Sequence, residues 1–297
     1  MRSLLAGVLL LVGAVLVPVT TTAWWLRSDV VSTDGYAETV APLATDPAVV
    51  AAVEGRLTDA TLRSVDRSGG LDRVPGLRDR IEQLVRVAVA AVVADPSFQD
   101  AWTAANRAAH AQVVAALAGE DSAVRTGPNG TVEIELSTLT DALRDQLTEA
   151  GVPFASALPE VQATYPVGDV QDLQRAQVGY QALERWGPVL PFVTAALIGL
   201  GLLVARNRRR ALAWTALLAL LGLGLTFLGL VGGRAVYLDS VPTTVPQPAA
   251  KAYFDTVTSG LRHDLGWVAI GCAAALLLAA LFGGRRREVR DDWSDWD

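Results

Sequence analysis

The sequence predicts a mainly α protein: a four-helix transmembrane protein with a mostly helical extracytoplasmic domain that contains one small β-hairpin. Three observations carry that prediction. Apolar residues gather in four stretches, 4–25, 189–205, 211–231 and 266–282. Each comes near the roughly 20 residues a helix needs to cross a hydrocarbon core. Second, Arg206, Arg208, Arg209 and Arg210 form a basic knot between the second and third stretches. It is too short for a domain and too charged for lipid, so the flanking stretches read as a membrane hairpin with its arginines in the cytoplasm. Third, the polar block between the first two stretches repeats apolar residues at helical spacing.

Composition sharpens the division. The chain is 51% hydrophobic with a formal net charge of -6. Residues 27–187 hold 23 acids against 13 arginines, a balance of -10, and basic residues crowd beside the apolar stretches instead. An acidic exterior block argues against nucleic acid, which requires a basic footprint. The block is long enough to bury a core of its own. The one cysteine, Cys272, lies in the last apolar stretch, so the exterior block can form no internal disulfide.

Residues 1–26 read as an N-terminal transmembrane anchor. Thr21-Thr22-Ala23 resembles a signal-peptide cleavage site, but the apolar run is long for one, and Trp24-Trp25 sits where an interfacial aromatic belt would. The extracytoplasmic helical domain follows at 27–187. Asp46-Pro47 starts a helix, since Asp accepts from free N–H groups and Pro suits the first helical position. Val49, Val53, Leu57 and Ala60 mark its inner face. A second helix carries Leu77, Ile81, Leu84, Val85, Ala88 and Val92 on one side. Asp95-Pro96 opens a third, with Phe98, Trp102, Ala105, Ala109 and Val113 inward. Gly127-Pro128-Asn129-Gly130 is a turn and 131–136 alternates like a strand, so a hairpin with 122–126 is expected. Leu139, Leu143 and Leu147 mark another helix. The prolines of 151–168 mark an irregular connection, and Leu173, Ala176, Tyr180 and Leu183 line the last exterior helix.

The remaining spans are a transmembrane helix at 188–206, a cytoplasmic turn at 207–210 and a transmembrane helix at 211–232. An extracytoplasmic loop at 233–264 follows, then a transmembrane helix at 265–283 and a cytoplasmic tail at 284–297. The loop contains an amphipathic helix, 249–262, with Tyr253, Phe254, Val257 and Leu261 on one side. Its apolar face is expected to dock on the exterior domain, largely against the Leu173–Leu183 helix. Arg206, Arg208, Arg209 and Arg210, with Arg285, Arg286 and Arg287, act as topology determinants on the inner side. Trp25, Trp186, Tyr237 and Trp267 form the outer interface belt, with Trp214 near the inner one. The chain thus reads as a multi-pass plasma-membrane protein with both termini cytoplasmic.

The phrase TVAPLATDPAVVAAVEGRLTDAT, Thr39 to Thr61, and the later DLQRAQVGYQALERWGPVLP, Asp172 to Pro191, resemble a group of uncharacterised actinobacterial integral membrane proteins. They share an anchor, a helical exterior domain opened by a PLAxDPAV-like phrase and three further crossings. The resemblance implies the layout and no activity.

Candidate chemistry is sparse. His110 and His263 lack a second His or a Cys nearby, which a zinc or triad site would need. His110 reads as a boundary residue and His263 as a solvated loop residue. Asp145 with Glu149, and Glu133 with Glu135, are carboxylate pairs of a kind that 23 acids make unavoidable. No phosphate-binding loop, nucleophile elbow or zinc-protease motif is present. The apolar stretches carry no charge in their interiors, which argues against a coupled transporter. Gly222, Gly224 and Gly229 with Ala216 and Ala219, and Gly271 with Ala275, are small-residue surfaces for helix packing or for homodimerisation. No catalytic, metal or cofactor residue is assigned. The expected partners are the lipid bilayer and either another envelope protein or a second copy. The expected function is a non-enzymatic envelope scaffold or binding protein. An extracytoplasmic hydrolase or transferase acting on cell-wall or lipid substrates is the alternative.

Overall fold

The computed structural model describes residues 2–67, 77–120, 125–126, 131–135 and 164–281. The chain is mainly helical and divides into two compact units, an apolar one of 1–27, 182–233 and 260–297, and a polar one of 28–181 and 234–259.

The apolar unit is built on α1 (Arg2–Trp25), α7 (Leu190–Val204), and the long helices α8 (Arg208–Ser240) and α10 (Ser259–Leu281). Among the described residues, three helical runs are long and apolar enough to cross a membrane: Arg2–Val31, Arg208–Ser240 and Gln247–Leu281. A fourth crossing exists if Leu173–Trp186 and Leu190–Val204, bent by 56° at a short break, count as one span. The break has a local cause. A Cβ on Gly187 would meet the Leu183 carbonyl oxygen, and Pro188 has no N–H to continue the helix.

Helices α1 and α7 meet through their smallest residues. A Cβ on Gly13 of α1 would lie 2.7 Å from the Ile198 side chain of α7, and one on Gly201 would lie 2.7 Å from Leu10. Between the same two helices the Thr20 and Thr194 hydroxyls share a hydrogen bond of 2.8 Å. Gly222 of α8 is closed off by Pro18, and Ala216 and Ala219 are buried. Gly224, Gly229 and Gly271 face open space, so only part of each expected small-residue surface is used for packing here. Larger side chains turn outward: Phe192 is 76% exposed and Leu225 72%. Leu223, Leu261 and Leu265 form a buried cluster, with Val17 and Trp25 against it.

The polar unit opens with a wide π-type turn, Leu26–Val31, and α2 (Thr33–Val40). Ser32 caps α2 by accepting from the Gly35 N–H. A 3₁₀ turn (Ala41–Thr45) leads to α3 (Pro47–Arg67), then come α4 (Leu77–Val93) and α5 (Ser97–Ala118). The Asp-Pro starts work as their chemistry dictates. Asp46 accepts from the N–H groups of Ala48 and Val49, and Asp95 from that of Ser97. Gly119 stops α5 at φ 84°, a left-handed cap that suits a residue without Cβ.

Short strands β1 (Arg125–Thr126), β2 (Thr131–Glu135) and β3 (Thr164–Asp169) pair antiparallel in that order, with Arg125 opposite Glu133 and Thr131 opposite Asp169. An isolated hairpin is therefore not what is seen. β3 comes from the stretch expected to be irregular, and the turn 127–130 lies outside the described residues. Residues 136–163, with the expected Leu139–Leu147 helix, lie outside them as well. Helix α6 (Val170–Trp186) begins directly after β3.

The core of the polar unit is Val40, Leu43 and Val49, and its fourth buried member, Ala249, comes from α9 (Gln247–Val257). Tyr36, Trp102, Tyr253 and Val257 pack around it. The amphipathic segment therefore covers α2, the 3₁₀ turn and α3, not chiefly the Leu173–Leu183 helix. Leu261, expected on that same face, instead lies in α10 within the apolar unit's cluster. The expected inner faces of α3, α4 and α5 are also rotated in part. Leu57, Leu84, Val92 and Val113 are exposed, whereas Thr58 and Val93 are buried.

Candidate functional site

Among the described residues, a group of hydrogen-bonded polar and aromatic side chains lies in the polar unit, where α2, α5 and α9 converge. Helix α5 presents Trp102, Arg107 and His110 along its length, and each ties to the segment 30–40. The Trp102 Nε1–H donates to the Val40 carbonyl at 3.0 Å. Arg107 pairs with Asp34 at 3.0 Å. His110 Nε2 lies 2.8 Å from the Val30 carbonyl oxygen, and Nδ1 lies 3.2 Å from the Thr33 hydroxyl.

A carbonyl can only accept, so Nε2 carries the proton. In the neutral ring Nδ1 then accepts from Thr33. Partial burial pushes the His110 imidazole below its ordinary value of 6.5, against the smaller opposing effect of the Val30 bond. The Tyr36 ring lies flat on the imidazole, centroids 4.3 Å apart at 16°. The Tyr36 hydroxyl in turn reaches the Tyr253 hydroxyl of α9 at 3.1 Å. Next to Tyr253 on α9, the Tyr237 ring packs on Phe254 at 5.3 Å, and Arg234 grips both carboxylate oxygens of Asp255 at 2.9 and 3.2 Å. Arg56 of α3 donates to the Thr244 carbonyl at 3.0 Å.

This arrangement is a joint. Both imidazole nitrogens are engaged, one face of the ring is stacked, and the two phenols share a hydrogen bond. A general base needs a nitrogen within reach of a reacting proton, and here both point at the fold itself. His110 is thus a packed interhelix residue. His263 lies on helix α10 and not in a loop, and its Nε2 accepts from the Trp267 Nε1–H at 2.8 Å. Among the described residues no group of three His, Cys, Asp or Glu is placed to hold a metal ion. Asp145 and Glu149 lie outside the described residues, and the side chains of Glu133 and Glu135 are not described either.

The charged and aromatic residues singled out in the sequence fall as follows. Arg206, Arg208, Arg209 and Arg210 are all exposed at the α7–α8 turn, where the Asn207 side chain accepts from the Arg210 N–H. Arg285, Arg286 and Arg287 lie outside the described residues. Trp186, Trp214 and Trp267 are exposed. Trp25 turns into the Leu223 cluster, and its neighbour Trp24 faces outward instead. No family model, curated protein or solved structure matches the chain. Its function therefore has to be argued from these surfaces.

Proposed function

We propose that the chain is a multi-pass plasma-membrane protein whose polar unit acts outside the cytoplasm as a non-enzymatic binding module of the cell envelope. The membrane part of the reading has four crossings: α1, the bent pair ending in α7, α8 and α10. Both termini are cytoplasmic, following the arginines of the α7–α8 turn.

The observation that carries the binding reading is the outward face of α4. Leu84 is 69% exposed and Val87 64%, and Ala88, Ala91 and Val92 extend the same stripe. This is the strongest apolar face the sequence offers on that helix, and it is turned to solvent. From Leu84 to Val92 the stripe rises about 12 Å along the helix, enough for one crossing helix and too little for a broad sheet. Arg80 flanks it on the same side. The occupant is an amphipathic helix of another envelope protein, with an acidic residue set against Arg80.

A photo-crosslinking residue at position 84 or 87, in the intact protein in its native membrane, should capture one discrete protein. The adduct should vanish in Leu84→Lys/Val87→Lys. Capture of only a second copy would make the stripe a homodimer face. No adduct from either position would remove the binding reading. Topology reporters at Asn207 should read cytoplasm and at Gly130 exterior.

A further inference from the structure

A cleft of about 380 Å³ lies in the apolar unit between the start of α1 and the α7–α8 turn. Its walls and rim differ in kind. Ala6, Leu10, Leu11 and Leu218 supply apolar lining, whereas Arg206, Asn207 and Arg210, all exposed, supply its polar edge beside Trp214. Only two of the four arginines in the knot reach it. Arg206 reaches it from the turn, and helix geometry explains why Arg210 is the other. Arg210, Trp214 and Leu218 recur every four residues and so share one face of α8, which Arg208 and Arg209 do not.

We propose that this cleft is a binding site for an anionic phospholipid. The phosphate sits at the guanidinium groups of Arg206 and Arg210, and an acyl chain lies along the Leu10–Leu11 wall. Guanidinium forks match phosphate oxygens in charge and geometry. A Trp at the rim is where an amphipathic ring meets the headgroup layer. Basic clefts between membrane helices are a recurrent way of holding acidic headgroups. A free phosphate would satisfy the rim but leave the apolar walls uncovered, which is why a lipid is the occupant. The site rests on the bilayer placement of this unit and on nothing about the α4 stripe or its partner.

The test uses the full chain purified in detergent, with dioleoyl phosphatidylglycerol, dioleoyl phosphatidylcholine and inorganic phosphate as probes and native mass spectrometry as readout. The protein should retain phosphatidylglycerol in preference to phosphatidylcholine, and excess inorganic phosphate should not displace it. Arg206→Gln/Arg210→Gln should weaken retention roughly thirtyfold, about fivefold for each charge removed. Arg208→Gln/Arg209→Gln removes the same net charge from outside the cleft and should leave retention unchanged. Leu11→Trp should weaken it with all four arginines in place. Equal losses in the two arginine pairs would mean generic attraction and overturn the site. So would equal retention of the two lipids, displacement by inorganic phosphate, or full retention in Leu11→Trp. Because the readout is taken in detergent on isolated protein, a missing crosslink at Leu84 or a reversed topology reporter fails separately.

Discussion

The two units of this chain solve the packing problem in opposite ways. In the polar unit partly buried aromatic rings close over a small aliphatic core: Val40 is 1% exposed, Leu43 and Ala249 are buried with it, and Trp102 and Tyr253 pack against them. In the apolar unit the closest approaches are made by the smallest residues, Gly13, Gly201 and Gly222, while Phe192 and Leu225 point away from the protein. The difference follows from the solvent each surface meets. In water, burying aliphatic and aromatic area drives assembly at about 25 cal/mol per Å². In lipid that drive is absent, because hydrocarbon tails are as apolar as leucine. Close backbone approach and interhelical hydrogen bonds then do the holding. Enlarging a residue should hurt one unit, and truncating one should hurt the other.

Truncation in the polar unit is expected to have the largest effect. Trp102→Ala removes a ring packed on the Val40 cluster and its bond to the Val40 carbonyl. A loss of about 3–5 kcal/mol is the usual cost of emptying such a site. Thermal unfolding of the full protein in detergent, followed by circular dichroism, should show it as a clear fall in Tm. The matching truncation in the apolar unit, Leu225→Ala, removes a side chain that is 72% exposed and should leave Tm nearly unchanged. Equal falls would mean that both units are held by the same kind of burial.

The reverse test comes next in size. Gly13→Leu drives a side chain into Ile198, where even a Cβ lies at 2.7 Å. Overpacking of this kind costs about 1–3 kcal/mol. Gly224→Leu and Gly271→Leu, on the same kind of helix with open space around them, should be near neutral. If all three behaved alike, close approach through glycine would not be what joins α1 to α7.

The contrast also separates what was legible in the sequence from what was not. Long apolar runs and the basic knot are local signals, so the candidate spans and the α7–α8 turn could be read directly. The Asp-Pro helix starts were legible for the same reason, since a cap acts within three residues. Which way a helix faces is not local. The face of α4 that includes Leu84 and Val92 is the more apolar, yet Val93 is the buried residue. Core membership was equally hidden. Ala249 and Ala250, from a segment nearly 200 residues downstream of α3, are buried in the polar unit. A fragment of 27–187 alone would lack that cover. The Tyr36–Tyr253 bond spans 217 positions, and no spacing rule reaches so far. Gly13 and Gly201 were missed because a single glycine in a leucine-rich run says nothing until its neighbour across the interface is known.

His110 offers a test with a pH signature. Its imidazole titrates below the ordinary 6.5, so between that lowered value and 6.5 the unfolded chain binds more protons than the folded one. Stability from this group is therefore complete above 6.5 and declines as pH falls through the window. Tm should drop between neutral and mildly acidic pH. His110→Gln should cost about 1 kcal/mol at pH 7.5, through the lost bonds to Val30 and Thr33, and should flatten the acid slope. An unchanged slope in the variant would assign it to carboxylates instead.

The smallest expected effect tests the claim that polar contacts help to hold helices together in lipid. Thr20 on α1 and Thr194 on α7 share a hydrogen bond, and Thr194 is buried. A naive view makes such a bond strong, because hydrocarbon provides no alternative partner. The alternative exists within each helix, however. Thr21 and Thr22 already donate to the carbonyls of Val17 and Pro18, four residues back. A threonine that loses its partner across the interface can turn to its own backbone in the same way, so little is left unsatisfied. The coupling energy should therefore be modest, about 0.6 kcal/mol and in line with interhelical bonds in membranes generally. A double-mutant cycle of Thr20→Val and Thr194→Val, with Tm in detergent converted to free energy, measures it. Valine keeps the shape of the side chain, so the α1–α7 packing around Gly13 and Gly201 is left alone. A coupling well above that figure would mean that neither hydroxyl can reach its own helix. One near zero would leave shape alone as the force between these helices.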